Sequence, residues 1–263
     1  MAASAIWLPL ESYEGITNSD LPISFNAFVF VVLAVGVLFF FIDGHLISGF
    51  LKKEVTIESN SFNTRVTIRF GDIFVQDGWK AIGVNDFFDG VVDDDLVSSN
   101  SLHGQTINRY WSNDSAAWQE KVERSLEGKD CKKTSRKKGN EYRYPIGTTA
   151  HAEVAGNRFL FFALAKTNKT TNVVQSSSDM LIVAIRAMLK HARVVCSNEP
   201  LSIPLVGSGL GRVGIKNVIL VDLILAAIFE ESQVSKVTES ISIVLPEHMS
   251  SVINLGAIAR DWS

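Results

Sequence analysis

Between Leu201 and Gly214 the chain reads Leu-Ser-Ile-Pro-Leu-Val-Gly-Ser-Gly-Leu-Gly-Arg-Val-Gly. Glycines recur at Gly207, Gly209, Gly211 and Gly214, after an apolar run (Leu201 to Val206) and before a long apolar segment (Ile215 to Phe229). The first run reads as a buried strand and the last as a helix. Glycine admits positive φ and close backbone approach, so successive N–H groups can line one concavity. A helix amino terminus just beyond adds a positive dipole end, and strand, glycine loop and helix together form a seat for phosphate. The competing reading is a sharp turn whose glycines only avoid clashes. Four glycines in this short stretch favour phosphate.

A second set of polar and aromatic side chains, Asn85, Asp86, Phe87, Phe88 and Asp89, follows the short apolar strand Lys80 to Asn85. Open α/β sheets place ligands at such strand ends. Ser101, Leu102, His103, Gly104 and Gln105 read as another loop carrying a titratable group. Asp93, Asp94 and Asp95 lack metal-ligand spacing and read as a solvated helix start, so no metal is expected. Lys132, Lys133, Arg136, Lys137 and Lys138 form a basic patch in Lys129 to Arg143. That stretch reads as a solvated loop, with anionic lipid as its functional option. No aromatic residues interleave with these charges and the net charge is −3, so nucleic acid is not an expected partner. Cys131 and Cys196 stand far apart without metal spacing, which fits a reducing compartment rather than a disulfide framework.

These residues need a scaffold. Residues 54–58 and 64–70 alternate as a hairpin about Ser59–Asn60–Ser61, and 145–154, 158–165 and 239–245 read as further strands. Helices are expected over 111–126, with Trp111, Trp118, Val122 and Leu126 toward the core, and from Ser177 or Ser178 through Val195. Arg186, Lys190 and Arg193 would mark the outer face of the latter. Strands and helices in alternation predict a mixed sheet covered on both faces, a three-layer α/β/α arrangement.

Leu21 to Ile42 carries no charged side chain, and its uninterrupted apolar core runs from Ala27 to Ile42. It reads as a transmembrane helix over 21–43, after a tail over 1–20 and before a juxtamembrane linker over 44–53. No Lys or Arg precedes Lys52 and Lys53. A cleaved signal peptide is therefore not expected, and the tail should lie outside, with 54–263 in the cytoplasm. Ile215 to Phe229 is no rival span, because Asp222 at its centre would cost about 3 kcal/mol on insertion.

A Walker A loop fails, because Gly214 is followed by Ile215-Lys216-Asn217. Gly209 to Gly214 does match a dinucleotide fingerprint, but too little chain follows for that fold. Gly71-Asp72-Ile73, Ala81 to Asn85 and Ile203 to Gly211 occur in the order and spacing of a macro domain, which the chain resembles over about 54–245. That resemblance implies an ADP-ribose-type ligand. Asp72 would accept from the adenine amino group with Ile73 beside it, Asn85 would approach the distal ribose, and Gly207, Ser208, Gly209, Leu210, Gly211 and Arg212 would wrap the diphosphate.

Adding the membrane segment, Asn85 to Asp89, Ser101 to Gly104 and Pro145 to Thr149 (with Thr148), the chain looks like the membrane-anchored macro-domain effectors of type II Thoeris anti-phage defence. The resemblance implies a single-pass protein of the bacterial inner membrane, without a cofactor. It would sense a histidine conjugate of ADP-ribose made by a TIR-domain partner, form homo-oligomers and disrupt the membrane. The ligand's far end would reach Phe87, Phe88 and His103, with Asp89, Ser101, Leu102 and Gly104 around it. The glycine-rich first loop of macro-domain hydrolases is missing here, which favours a non-catalytic receptor over a membrane-tethered ADP-ribosyl hydrolase. Such effectors carry two membrane segments and this chain supplies one, so disruption would depend on several chains.

Overall fold

The computed structural model describes residues 11, 24–58, 64–209 and 214–262. The expected turn at Ser59–Asn60–Ser61, most of the 1–20 tail, and Leu210, Gly211 and Arg212 lie outside them. The chain divides into two units: one holds residues 1–52 with 254–257, the other 53–253 with 258–263.

The first unit is built on α1 (Phe25–Ile42), capped by the Ser24 hydroxyl, which accepts from Ala27 N. A π-helical turn, Asp43–Ile47, continues it. Its apolar side chains face outward, with Phe30 73% and Leu33 64% exposed. A helix from a soluble core would cover that surface. Asn254 Nδ2 donates to Ser48 O within the same unit.

The second unit is a mixed sheet in the order β1-β2-β10-β9-β3-β7-β6, with β8 pairing β7. The strands are β1 (Glu54–Ile57), β2 (Arg65–Phe70), β3 (Trp79–Asn85), β6 (Thr149–Val154), β7 (Asn157–Thr167), β8 (Val174–Gln175), β9 (Leu201–Pro204) and β10 (Ser240–Leu245); β4 (Lys132–Lys133) and β5 (Tyr142–Arg143) form a separate ribbon. β2, β10, β9, β3 and β7 run parallel, while β1 and β6 pair antiparallel at the margins. The β3–β9 ladder spans only Trp79↔Leu201 and Lys80↔Ser202. Beyond it, β3 keeps pairing with β7 and β9 with β10.

Side chains of β7 alternate between two buried faces. Phe159 and Phe161 pack with Ile107 of α2 (Leu102–Tyr110), Trp111 just after it and Trp118 of α3 (Ser115–Leu126). The opposite face is covered by α4 (Ser178–Val195), which packs in turn against α5 (Asn217–Val234). The expected covered mixed sheet is therefore present.

Several local expectations need correction. The stripe Trp111, Trp118, Val122 and Leu126 is buried, but the helix starts only at Ser115, because Ser112 and Asn113 take positive φ and Asp114 caps the new start. Arg186 and Arg193 do not simply mark an outer face. They converge with Lys190 on buried Glu231 of α5, with Arg186 Nε 2.9 Å from its Oε1. Asp222, within the apolar stretch of α5, accepts from Trp262 Nε1 at 2.9 Å. A short helix, α6 (Leu255–Asp261), precedes Trp262.

Candidate functional site

Five parallel strands end along one edge of the sheet, so the residues after Phe70, Leu245, Pro204, Asn85 and Thr167 all gather there. Gly71 N donates to Leu245 O at 2.8 Å, and Leu205 N to Val244 O at 3.2 Å. The short β3–β9 ladder makes this edge a parting between two halves of the sheet, the position at which open α/β sheets take ligands.

On one side lies the glycine loop. Gly207 has φ +87°, which a side chain would resist, and a Cβ added at Gly209 would meet nothing within 4 Å. Ser208 Oγ donates to Leu205 O at 2.9 Å, tightening the turn. Among the described residues, neither Gly207 nor Gly209 gives its N–H to a backbone carbonyl. The start of α5 has no side-chain cap at Lys216, so its first N–H groups keep the partial positive charge of a helix amino terminus.

On the other side Asp72 follows β2. Its Oδ1 accepts from Phe74 N at 2.8 Å, and its Oδ2 lies 3.5 Å from Arg109 Nη1. Asp72, Phe74, Gln105, Asn108 and Arg109 line an open hollow of about 480 Å³. Ile73, next to Asp72, is buried in the short 3-10 turn Ile73–Val75. Arg109 sits 5.2 Å from the Phe74 ring centroid, so an aromatic face, a carboxylate and a guanidinium share this hollow.

The loop after β3 is organised internally. Asn85 Oδ1 accepts from Phe87 N and Asp89 N, and its Nδ2 donates to Asp89 Oδ2 at 3.1 Å. Asp89 is 1% exposed and takes Arg136 Nη1 at 2.9 Å and Asn140 N at 2.7 Å. Two guanidiniums approach the Phe87 ring, Arg136 at 4.0 Å and Arg143 at 4.6 Å from its centroid. Phe88, at φ 50°, is fully buried edge-on to Tyr144. Asp86 pairs with Arg143 at 3.0 Å and accepts from Thr167 N; burial holds its carboxyl above the usual range, with Thr167 and Arg143 opposing that shift.

The Lys129–Arg143 stretch is therefore not simply a solvated loop, since the Arg136 side chain is wholly enclosed. Nor do Asp93 to Asp95 start a helix. Asp93 accepts from Leu96 N, Asp94 takes positive φ, and Lys138 Nζ bridges Asp93 and Asp95 at 2.7 and 2.8 Å. Among the described residues, no group of three or more His, Cys, Asp or Glu could hold a metal ion.

Ser101 to Gly104 is a helix start rather than a loop. The Ser101 hydroxyl caps α2 by accepting from Gly104 N, and a Cβ at Gly104 would fall 2.2 Å from Ser98 O. Leu102 packs partly buried against the core. His103 is 5% exposed against Trp118 and Phe161, and burial lowers its pKa to about 3, so it is neutral. Thr148 is half-buried at the same sheet edge, with its carbonyl accepting from Ala163 N. The structure thus joins Asn85, Phe87, Phe88 and Asp89 in one enclosed node and sets Asp72 in an open hollow. Phe87, Phe88 and His103 present almost no surface. Sequence reasoning missed Arg109, Arg136 and Asn140; only the basic run hinted at Arg136.

The family profile described as Thoeris protein ThsA, Macro domain matches residues 66–246. A Thoeris protein ThsA of Bacillus amyloliquefaciens (strain Y2) is 25% identical over 189 residues, 70% of this chain and 61% of that protein. The chain thus spans under two thirds of this relative's length. A mutant Oceanobacillus iheyensis macrodomain solved with ADPR superposes with a TM-score of 0.53 at 15% identity, covering 80% of this chain and 96% of that one. The macrodomain of the same organism with ADP gives 0.52 at 15%, with the same coverage. At that identity the likeness concerns the fold, which has the same α/β mixed sheet.

Proposed function

Because this chain belongs to the macro-domain family of Thoeris protein ThsA, we propose that the parting of its sheet receives an ADP-ribose-derived signal in anti-phage defence. The carrying observation is the open Gly207–Gly209 turn at the strand ends, its N–H groups turned to no backbone carbonyl among the described residues. Adenine lies in the Asp72–Phe74–Arg109 hollow, its amino group donating to the Asp72 carboxylate. The diphosphate takes the turn's amides and the open start of α5, where backbone N–H groups and the helix dipole favour an anion. Leu210, Gly211 and Arg212 complete that wrap in this reading.

The chain acts as a receptor rather than a hydrolase. Asn85, the residue that would approach the distal ribose, already has its amide committed to Phe87 and Asp89. The signal is a histidine conjugate of ADP-ribose made by a TIR-domain partner. It gates the protein by binding one assembly state more tightly than another, since only differential affinity shifts an equilibrium. The outward apolar surface of α1 supports a single-pass anchor, with 54–263 in the cytoplasm. Assembled anchors then perturb the bilayer.

The test is calorimetric titration of the detergent-solubilised chain with ADP-ribose and its histidine conjugate, with chromatography of the ligand afterwards. Saturable binding of both, tighter for the conjugate and with intact ligand recovered, is expected. Ligand turnover would reassign the protein as a hydrolase, and absence of binding would end the reading.

A further inference from the structure

Away from the strand ends, two imidazoles meet on the face of the sheet covered by α4. His151 stands in the middle of the marginal strand β6, opposite Leu160. His191 lies in the last turns of α4, and Ser125 near the end of α3. His191 Nε2 is 3.4 Å from His151 Nδ1, and Ser125 Oγ is 3.0 Å from that same nitrogen. The hydroxyl is held from behind, because His151 N donates to Ser125 Oγ at 2.9 Å. Polar atoms from two other elements, Ser125 Oγ and His191 Nε2, therefore both approach His151 Nδ1.

A His–His hydrogen bond accounts for the contact, yet the spacing also has a second meaning. With Zn–N bonds of about 2.0–2.1 Å, tetrahedral geometry sets two nitrogen ligands about 3.3–3.4 Å apart. The observed separation equals that edge. Both rings are part-buried, and burial lowers the pKa of each, that of His191 to about 4. The charged groups facing the pair are Lys129, which opposes a cation, and Glu153, which favours one at His151.

We propose that His151 Nδ1 and His191 Nε2, with the Ser125 hydroxyl beside them, bind a divalent transition-metal ion of the zinc class, water filling the remaining positions. The ion ties β6, α3 and α4 together at a point that the nucleotide reading does not use. No group of three or more His, Cys, Asp or Glu surrounds it among the described residues, so the site is open and exchangeable rather than a closed structural one.

The experiment is a calorimetric titration of the untagged, detergent-solubilised full chain with zinc chloride, followed by thermal melting with and without zinc. One saturable site per chain and a raised Tm are expected. His191→Gln, which keeps much of the ring's volume, should weaken zinc binding at least about ten-fold by removing one of two nitrogen ligands. It should leave the ADP-ribose titration unchanged. Lys129→Gln should tighten zinc binding roughly three-fold by removing a nearby like charge. Wild-type protein with no saturable zinc binding, or a His191→Gln titration that matches wild type, would overturn the proposal.

Discussion

At the scale of single residues the proposed site separates into groups open to a ligand and groups that serve the fold. Gly209 is open: a side chain there has room, so Gly209→Glu should fold normally. Its carboxylate would face the diphosphate, and affinity for ADP-ribose should fall by at least about ten-fold; unchanged affinity in the same titration would clear this turn of any role. Asp72 should read the base. Asp72→Asn keeps an oxygen for Phe74 N but loses the acceptor-only carboxylate, and its amide can donate to a hypoxanthine oxygen. The preference for ADP-ribose over its inosine analogue should narrow from about ten-fold toward parity, measurable by competition.

His103 gives a pH signature of stability. Folded, it stays neutral down to about pH 3; unfolded, it takes a proton near its ordinary 6.5. The unfolded state therefore binds more protons between those values, and stability falls as pH drops from 6.5 toward 3. His103→Gln should flatten that slope in urea melts between pH 7 and 4.5. A slope equal to that of wild type would mean the imidazole is not enclosed.

At the scale of elements, the loop after β3 and the stretch from Lys129 to Arg143 form one object joined by Asp89 and Arg136. Removing one partner of an enclosed ion pair strands the other, so Arg136→Ala should lower folding stability by about 3–5 kcal/mol. The denaturant midpoint reports it, and a loss under about 1 kcal/mol would contradict the enclosure. This joint also marks the limit of what the sequence discloses. Alternation revealed β1, β2 and β10, and the apolar run with its glycines revealed β9, the turn and α5, because period and turn chemistry are local. Asp89 and Arg136 are 47 residues apart, and nothing local says that one arginine of a basic run folds inward. The convergence of Arg186, Lys190 and Arg193 on Glu231 was hidden for the same reason: their spacing gives a helix face, not what that face meets. Ser101 is a helix-cap residue type directly before Leu102, but a serine near a glycine signals a turn equally well, so local residue types do not separate the two.

At the scale of the whole molecule, the sheet order and the parting between β3 and β9 depend on which strands pair, and periodicity is silent about pairing. Matching glycine and aspartate motifs in order supplied what periodicity could not. The apolar helix α1 was legible outright, since length and composition suffice to pick out such a helix. Leu33→Arg should impair membrane insertion, an arginine at the centre of a span costing about 2.5–3.5 kcal/mol. Fractionation of cells expressing the variant should show less protein in the membrane pellet, and an undiminished pellet would speak against α1 as an anchor.

The central claim is that main-chain amides after β9 hold the diphosphate of an ADP-ribose-type signal. Its most direct test is a paired titration of the full chain and its Gly209→Glu variant with ADP-ribose, each shown to be folded by thermal melting. The account predicts one saturable site in the wild type and none in the variant at the same concentrations. Equal binding by the two proteins, or no binding by the wild type, would contradict it.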